Sequence, residues 1–444
     1  MPVHPKDASR RKRLRHLALG TVSLGLGVLL LWKQTGFFLP AVSVLALLIL
    51  LGGIARLWNW AAQKPRKPQE LFLGLICLLL GGVMARFPSV TLYAAPFLFS
   101  AYLMLNGIVK LVDTALSMKE RSEELIFCLI PAAFYLTFAG ILLFLPQAHV
   151  RAVLICAGIY CLLLGGTYIL DYVHSRIPAA RRGLRRRLRI GLPALFSALI
   201  PHSVLLRLNG FLSQGREPEE FEDLVGGKSG EKPDLELFIH VSATHPFMAI
   251  GHCDIWFDGE LIAYGNYDEA AQRPLGMGPG VLLISNKYDY IPFCLEFNQT
   301  TIFSFGLRLN PAQKSAVRAR IREIKEQLLP WDPEELPANR KRFAARLQRE
   351  QGARFYKFRS GRFGTYFVMS ANCALMADWI LSAAGTDILK LNGILSPGAI
   401  YDYLEAEFLK KGSMVVSRNV YRLPLTARQL REQDRALRPG KDLR

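Results

Sequence analysis

Two periodicities divide the chain. Up to about residue 172 the sequence is a series of apolar blocks separated by short polar breaks, and beyond about residue 215 it has the mixed pattern of a globular domain. The blocks cover roughly residues 16–33, 37–56, 70–86, 89–110, 124–145 and 151–171, each near the ~20 residues needed to cross a hydrocarbon core. They predict six membrane spans. The second, fourth and sixth end alike, in LLGGIARLWNW, MLNGIVKLVDT and LLGGTYILDYV, and Gly53, Gly107 and Gly166 recur at intervals of about 55 residues. The pattern reads as three two-helix hairpins in which small residues let backbones approach.

From residue 234 the period falls to two. LELFIHVSA, MAIGHCDIWFDGELIAYGNYD and GVLLISN are strand-like, and Asp258-Gly259 is a hairpin turn signal between two of them. A helix is expected over residues 311–328, with Asn310 at its N-cap and Pro311 at its first position. RFYKFRSG and RFGTYFVMSA are again strand-like. NCALMADWILSAAG then opens a helix with Asn372 at the N-cap, Cys373 in the first turn, an apolar face of Leu375, Met376, Trp379 and Ile380, and Gly385 at the stop.

Charge adds orientation. The 444 residues hold 55 Lys and Arg against 36 Asp and Glu, a formal charge of +19. KDASRRKRLRH, AAQKPRKPQE and SRIPAARRGLRRRLR concentrate the basic residues on one side of the spans, while WKQTG, RFPS and PQAHVR carry one cation each. The positive-inside rule therefore places both termini in the cytoplasm. LVDTALSMKERSEE, between the fourth and fifth spans, follows the rule more weakly because its acids offset its bases. No small-residue cleavage site follows the first apolar stretch, so it reads as a retained span. Ionisable residues occur only at the span ends, which argues against a transporter. The arginine run from Arg176 to Arg189 follows a span and precedes an apolar stretch, a pattern that fits anionic lipid headgroups and not nucleic acid.

The expected layout is therefore a six-span helical membrane domain over 1–175 and a basic, partly amphipathic membrane-surface linker over 176–232. An α+β domain over 233–425 and a basic tail over 426–444 complete it.

Of seven cysteines, Cys77, Cys128, Cys156 and Cys161 lie in apolar spans. Cys253, Cys294 and Cys373 show no paired spacing, and neither disulfide nor metal is indicated. No cofactor is expected. Cys373 stands apart because unpaired amides and the helix dipole at a helix start favour a thiolate. An imidazole in reach would complete a Cys–His nucleophile. His252, on the first strand of the Asp258-Gly259 hairpin, is the best candidate, with His240 and His245 as rivals. Cys253 and Cys294 read as core, Cys253 on the strand face opposite His252 and so outside the imidazole's pocket.

The repeated GG and NG hairpins resemble the HdeD-like family of six-span bacterial inner-membrane proteins. The order of HCDI with Gly259 and, later, NCALM resembles the circularly permuted papain-like hydrolases, the group of permuted NlpC-type amidases and lecithin:retinol acyltransferase-like enzymes. That second resemblance implies a base at His252, a nucleophile at Cys373 and a polar residue orienting the imidazole. A plain two-residue turn puts His252 opposite Gly265, and a loop one residue longer puts it opposite Asn266. Asn266 is the candidate orienter, with Tyr264 and Asp254 as alternatives. The Cys373 amide is the natural oxyanion donor.

These readings lead to one expectation, a multi-pass bacterial inner-membrane thiol hydrolase or acyltransferase acting on an acyl, lipid-linked or peptide substrate at the cytoplasmic face. A non-catalytic scaffold or sensor is the rival, and a transporter with a regulatory domain is a weaker one.

Overall fold

The computed structural model describes residues 5–33, 35–62, 68–120, 125–144, 146–176, 200–212, 226–227, 232–242, 251–335, 337–385, 395–408, 412–423, 425 and 428–431. They fall into two compact units, one of Ala18–Lys110 with Leu129–Gly166, the other of Met1–Leu17, Leu111–Cys128 and Thr167–Arg444. The arginine cluster at 181–189 and His245 lie outside the described residues.

The described residues of the N-terminal half form six long helices: α1 (Pro5–Lys33), α2 (Thr35–Ala62), α3 (Pro68–Arg86), α4 (Pro88–Lys119), α5 (Leu125–Phe144) and α6 (Pro146–Arg176). Among the described residues, four stretches are long and apolar enough to span a membrane: Leu14–Lys33, Val42–Ala62, Phe97–Lys119 and Val153–Leu170. Cys128–Phe144 of α5 is a shorter apolar helix.

The glycines act as the sequence suggests, but between different partners. A Cβ at Gly53 would stand 3.1 Å from Gly74 O, and one at Gly107 would stand 2.7 Å from the Leu136 side chain. In the third repeat the close approach is at Gly165, where Leu24 N would be at 2.8 Å and Gly20 O at 2.9 Å, and not at Gly166, which has open space. These contacts join α2 to α3, α4 to α5 and α1 to α6. Backbone approach thus links neighbouring hairpins instead of closing each one.

The second unit is built on a nine-stranded sheet with every pairing antiparallel, in the order β1-β11-β7-β2-β3-β4-β6-β9-β8. The strands are β1 (Gly226–Gly227), β2 (Leu235–Val241), β3 (His252–Phe257), β4 (Glu260–Gly265), β6 (Val281–Ser285), β7 (Thr301–Leu307), β8 (Leu328–Pro330), β9 (Arg354–Phe358) and β11 (Val415–Tyr421). A two-stranded ribbon pairs β5 (Met277–Pro279) with β10 (Thr365–Phe367). Phe257 faces Glu260 across a two-residue turn whose Asp258 and Gly259 have φ of 50° and 87°, the left-handed pair a tight hairpin requires.

Each sheet face buries its own core. One packs against α7 (Ile200–Leu212), α9 (Pro311–Glu326), α11 (Cys373–Ala383) and α12 (Pro397–Phe408), and the other against α8 (Lys287–Asn298) and α10 (Phe343–Gln351). Within the stretch expected as a surface linker, α7 places Val204 and Leu205 in the first of these cores, and Leu208 on the same helical stripe is also buried. The expected tail likewise begins inside the fold, with Leu430 fully buried in the second core.

Helix α9 stops at Glu326, and not near 328, because Leu328 already pairs with Phe358 in the sheet. It starts with a reciprocal capping box in which Asn310 Oδ1 accepts from Gln313 N at 2.8 Å and Gln313 Oε1 accepts from Asn310 N at 2.9 Å. Gln313 Nε2 also donates to Ala384 O at 2.7 Å, tying α9 to the end of α11.

Candidate functional site

Helix α11 begins where the sequence predicts. Asn372 Oδ1 accepts from Leu375 N at 2.9 Å, and its Nδ2 donates to Val368 O at 2.8 Å and Leu395 O at 2.9 Å, so one buried amide fixes the helix start to two loops. Leu375, Met376 and Ile380 are buried, and each contributes about 1.5–3 kcal/mol of apolar burial. Trp379 stays partly exposed, with the Arg320 guanidinium 4.1 Å and that of Arg362 5.2 Å from its ring centroid. Gly385, at φ 84°, ends the helix. Cys373 is thereby held at the first helical position, 3% exposed.

Alternation along β3 sends Cys253, Ile255 and Phe257 to the face that carries α11, and Trp256 to the other. His252 stands at the very start of the strand, beside the start of α11, and there it interacts with Cys373. A hydrogen bond from the Cys253 thiol is the largest influence lowering the Cys373 thiol. Burial opposes it, and the charge and hydrogen bond of His252 then add to it, leaving the thiol well below its ordinary value. Burial works against a charged His252, but Asp254 and the Cys373 thiolate outweigh it and hold the imidazole well above its ordinary value. The two shifts run in the directions that favour a negative sulfur beside a positive imidazole.

Asp254, two residues along the strand, is the carboxylate behind that pair. Its Oδ1 lies 2.9 Å from His252 Nε2 and its Oδ2 2.7 Å from His240 Nε2, close charge contacts that lack the alignment of directed hydrogen bonds. Tyr290 does donate a well-formed bond to Oδ2 at 2.9 Å. Burial would raise the Asp254 carboxyl, yet the charges of His252 and His240 beside it hold it far below the usual carboxylate range. Tyr267 Oη lies 3.1 Å from His252 Nε2 as well. With Nε2 turned to Asp254 and Tyr267, Nδ1 is the ring nitrogen left for sulfur.

The polar partner of the imidazole is therefore Asp254, not Asn266. The two-residue turn gives Asp254 the cross-strand partner Ala263, which continues to Gly265 opposite His252 and leaves Asn266 beyond the pair. Asn266 instead donates to Met277 O at 3.2 Å and supports the β5–β10 ribbon. Tyr264 faces the α11 side, where it donates to Phe363 O at 3.0 Å. Tyr366, on β10, packs against the core that holds Cys373 and its phenol interacts with that thiol. Burial, then the nearby thiolate, push the Tyr264 and Tyr366 phenols well up and keep them neutral donors.

His240 sits across from His252 in the β2–β3 pairing and meets Asp254, so it backs the carboxylate and does not compete for the thiol. Cys294 is buried on the far face. Cys253 does point away from the face of Asp254, but Cys373 occupies that same side and the two thiols interact in one core. The sequence reading missed this because strand alternation excludes Cys253 from the pocket of a mid-strand histidine, whereas His252 is at the strand end. It also missed Tyr267 and Tyr290, which lie in no motif. Asp254 had a local signal, since residues i and i+2 of a strand share a face.

No curated protein and no solved structure matches the chain. Residues 72–144, which run from α3 through α5, match the family model described as a short repeat of unknown function (DUF308), a membrane-family repeat of the HdeD-like kind that the glycine hairpins resemble.

Proposed function

We propose that the second unit is a permuted papain-like thiol hydrolase or acyltransferase, anchored by six spans in a bacterial inner membrane and acting on an amide or ester at its cytoplasmic face. The observation that carries the reading is the meeting of Cys373 and His252 at one helix start, with Asp254 buried behind the imidazole. The thiolate attacks the acyl carbon, forming a carbon–sulfur bond as the carbonyl electron pair moves to oxygen. The Cys373 amide, at a helix position with no intrahelical acceptor, is a donor for that oxygen. Collapse breaks the bond to the leaving amine or alcohol, which takes the proton of His252. A water, or an acceptor hydroxyl or amine, then gives its proton to His252 as it attacks the thioester, and Cys373 leaves as thiolate.

Arginine asymmetry supports the cytoplasmic side. Glu120, in the connection between α4 and α5, bonds to the sheet domain, which agrees with six spans putting that connection on the same side as both termini. On that side the substrates that fit are lipid acyl groups, lipid-linked precursors and cytosolic peptides, while mature wall lies across the membrane. The arginine run at 181–189 would hold the domain near anionic headgroups.

A second reading, a binding scaffold, is favoured by the 3% exposure of Cys373. An electrophilic acyl probe separates the two in native membranes. The enzyme reading expects covalent labelling at Cys373 that is lost in Cys373→Ala and strongly slowed in His252→Ala. An unlabelled Cys373 in folded protein supports the scaffold.

A further inference from the structure

Leu111–Cys128 belong to the same compact unit as the sheet domain, and Glu120, just after α4, bonds to that domain. Glu120 Oε1 accepts from Thr365 Oγ1 at 2.9 Å, and its backbone oxygen accepts from Gly361 N at 3.2 Å. A Cβ on Gly364 would stand 2.5 Å from Glu120 Oε2, so the loop lies flat on the carboxylate. The held segment is the one that borders Cys373. Phe363 O, within it, receives the Tyr264 hydroxyl, and Tyr366 follows Thr365 directly on β10 and packs against the core that holds Cys373, where the two groups interact. On its other side Gly364 O accepts from Gly280 N at 2.9 Å, and a Cβ at Gly280 would collide with Phe363 O. The loop is therefore clamped between the sheet domain and Glu120.

We propose that Glu120 is a positioning residue for the candidate nucleophile: by holding residues 361–365 it fixes the Tyr366 hydroxyl on the Cys373 thiolate, so that the connection between the fourth and fifth helices sets the state of the site. This rests on reading Cys373 as a nucleophile. Glu120 touches no reacting atom. Its Oε1 accepts from a neutral hydroxyl and lies 3.8 Å from Lys119 Nζ, and the proposed hold on the loop runs through the hydrogen bond.

The test uses the full chain in membranes and follows alkylation of Cys373 by iodoacetamide against pH, with mass spectrometry reading Cys373 and buried Cys294 separately. Glu120→Ala is expected to slow Cys373 alkylation about two- to tenfold near neutral pH and to move its titration midpoint upward. Glu120→Gln, which keeps a carbonyl acceptor for Thr365, is expected to restore both. Thr365→Val removes the same bond from the other side, should match Glu120→Ala, and should add little when combined with it. Cys294 should stay protected in every variant, which shows that the domain is folded. A wild-type titration retained in both Glu120→Ala and Thr365→Val overturns the inference, as does a Glu120→Gln variant no better than alanine. If wild-type Cys373 itself titrates like an ordinary thiol, the nucleophile reading falls first and the inference with it.

Discussion

At Gly165 of α6, the atoms nearest to where a Cβ would stand are Cγ and the amide nitrogen of Leu24, both at 2.8 Å, and the Gly20 carbonyl at 2.9 Å. At Cys373 of α11, the neighbours are a second thiol, an imidazole and a phenol. Both are helix positions in tight surroundings, but the first brings backbone to backbone and the second brings titratable groups together. The helical half has little hydrophobic drive for association in lipid and relies on close fit. The sheet domain buries two apolar cores, and that burial offsets the cost of holding Asp254 and two histidines out of water. The two halves should therefore fail differently when altered.

The largest effect is expected at Asp254. Asp254→Asn keeps shape but removes the charge that holds His252 protonated, so turnover should fall on the order of 10³-fold and its alkaline limb should move to lower pH. A full-rate Asp254→Asn would mean that the carboxylate only supports the fold. Next comes the helical half. Gly165→Ala drives a methyl into backbone on two sides and should cost about 1–3 kcal/mol, seen as a lower unfolding temperature in detergent, while Cys373 reactivity in the folded fraction is unchanged. Gly166→Ala, which faces open space, should be neutral or slightly stabilising. Equal effects of the two would remove the case for backbone contact between α1 and α6. The smallest effect belongs to Tyr267→Phe, which loses one hydrogen bond to His252 Nε2 and should slow turnover roughly two- to tenfold without moving the unfolding temperature much.

The long elements were legible because their signals are local. Apolar length marked the helices, Asp258-Gly259 marked the hairpin, and Asn372 marked the start of α11. What the sequence could not supply was proximity across the fold. Asp254 and Tyr267 both approach His252, yet one is two residues away and the other is reached only through the β4 turn-out at Gly265. Cys253 meets Cys373 because a strand end and a helix start converge, and alternation alone says nothing of that. The clamp of Glu120 on Thr365 joins residues 245 positions apart, with no pattern in either.

The central claim is that Cys373 is a thiolate paired with His252, and its titration tests this most directly. His252, held above its ordinary value, contributes stability that is complete below about pH 6.5 and fades as pH rises through its raised value. Cys373, held below its ordinary value, contributes above about pH 8.5 and loses that contribution as pH falls through its lowered value. The pair therefore exists between the two shifted values, from the lowered Cys373 value up to the raised His252 value. Alkylation of Cys373 in the intact membrane protein should rise through a midpoint well below 8.5, and His252→Ala should return that midpoint toward an ordinary thiol while Cys253 and Cys294 stay slow. A Cys373 midpoint at or above 8.5 in folded wild-type protein, unmoved by His252→Ala, would contradict the account.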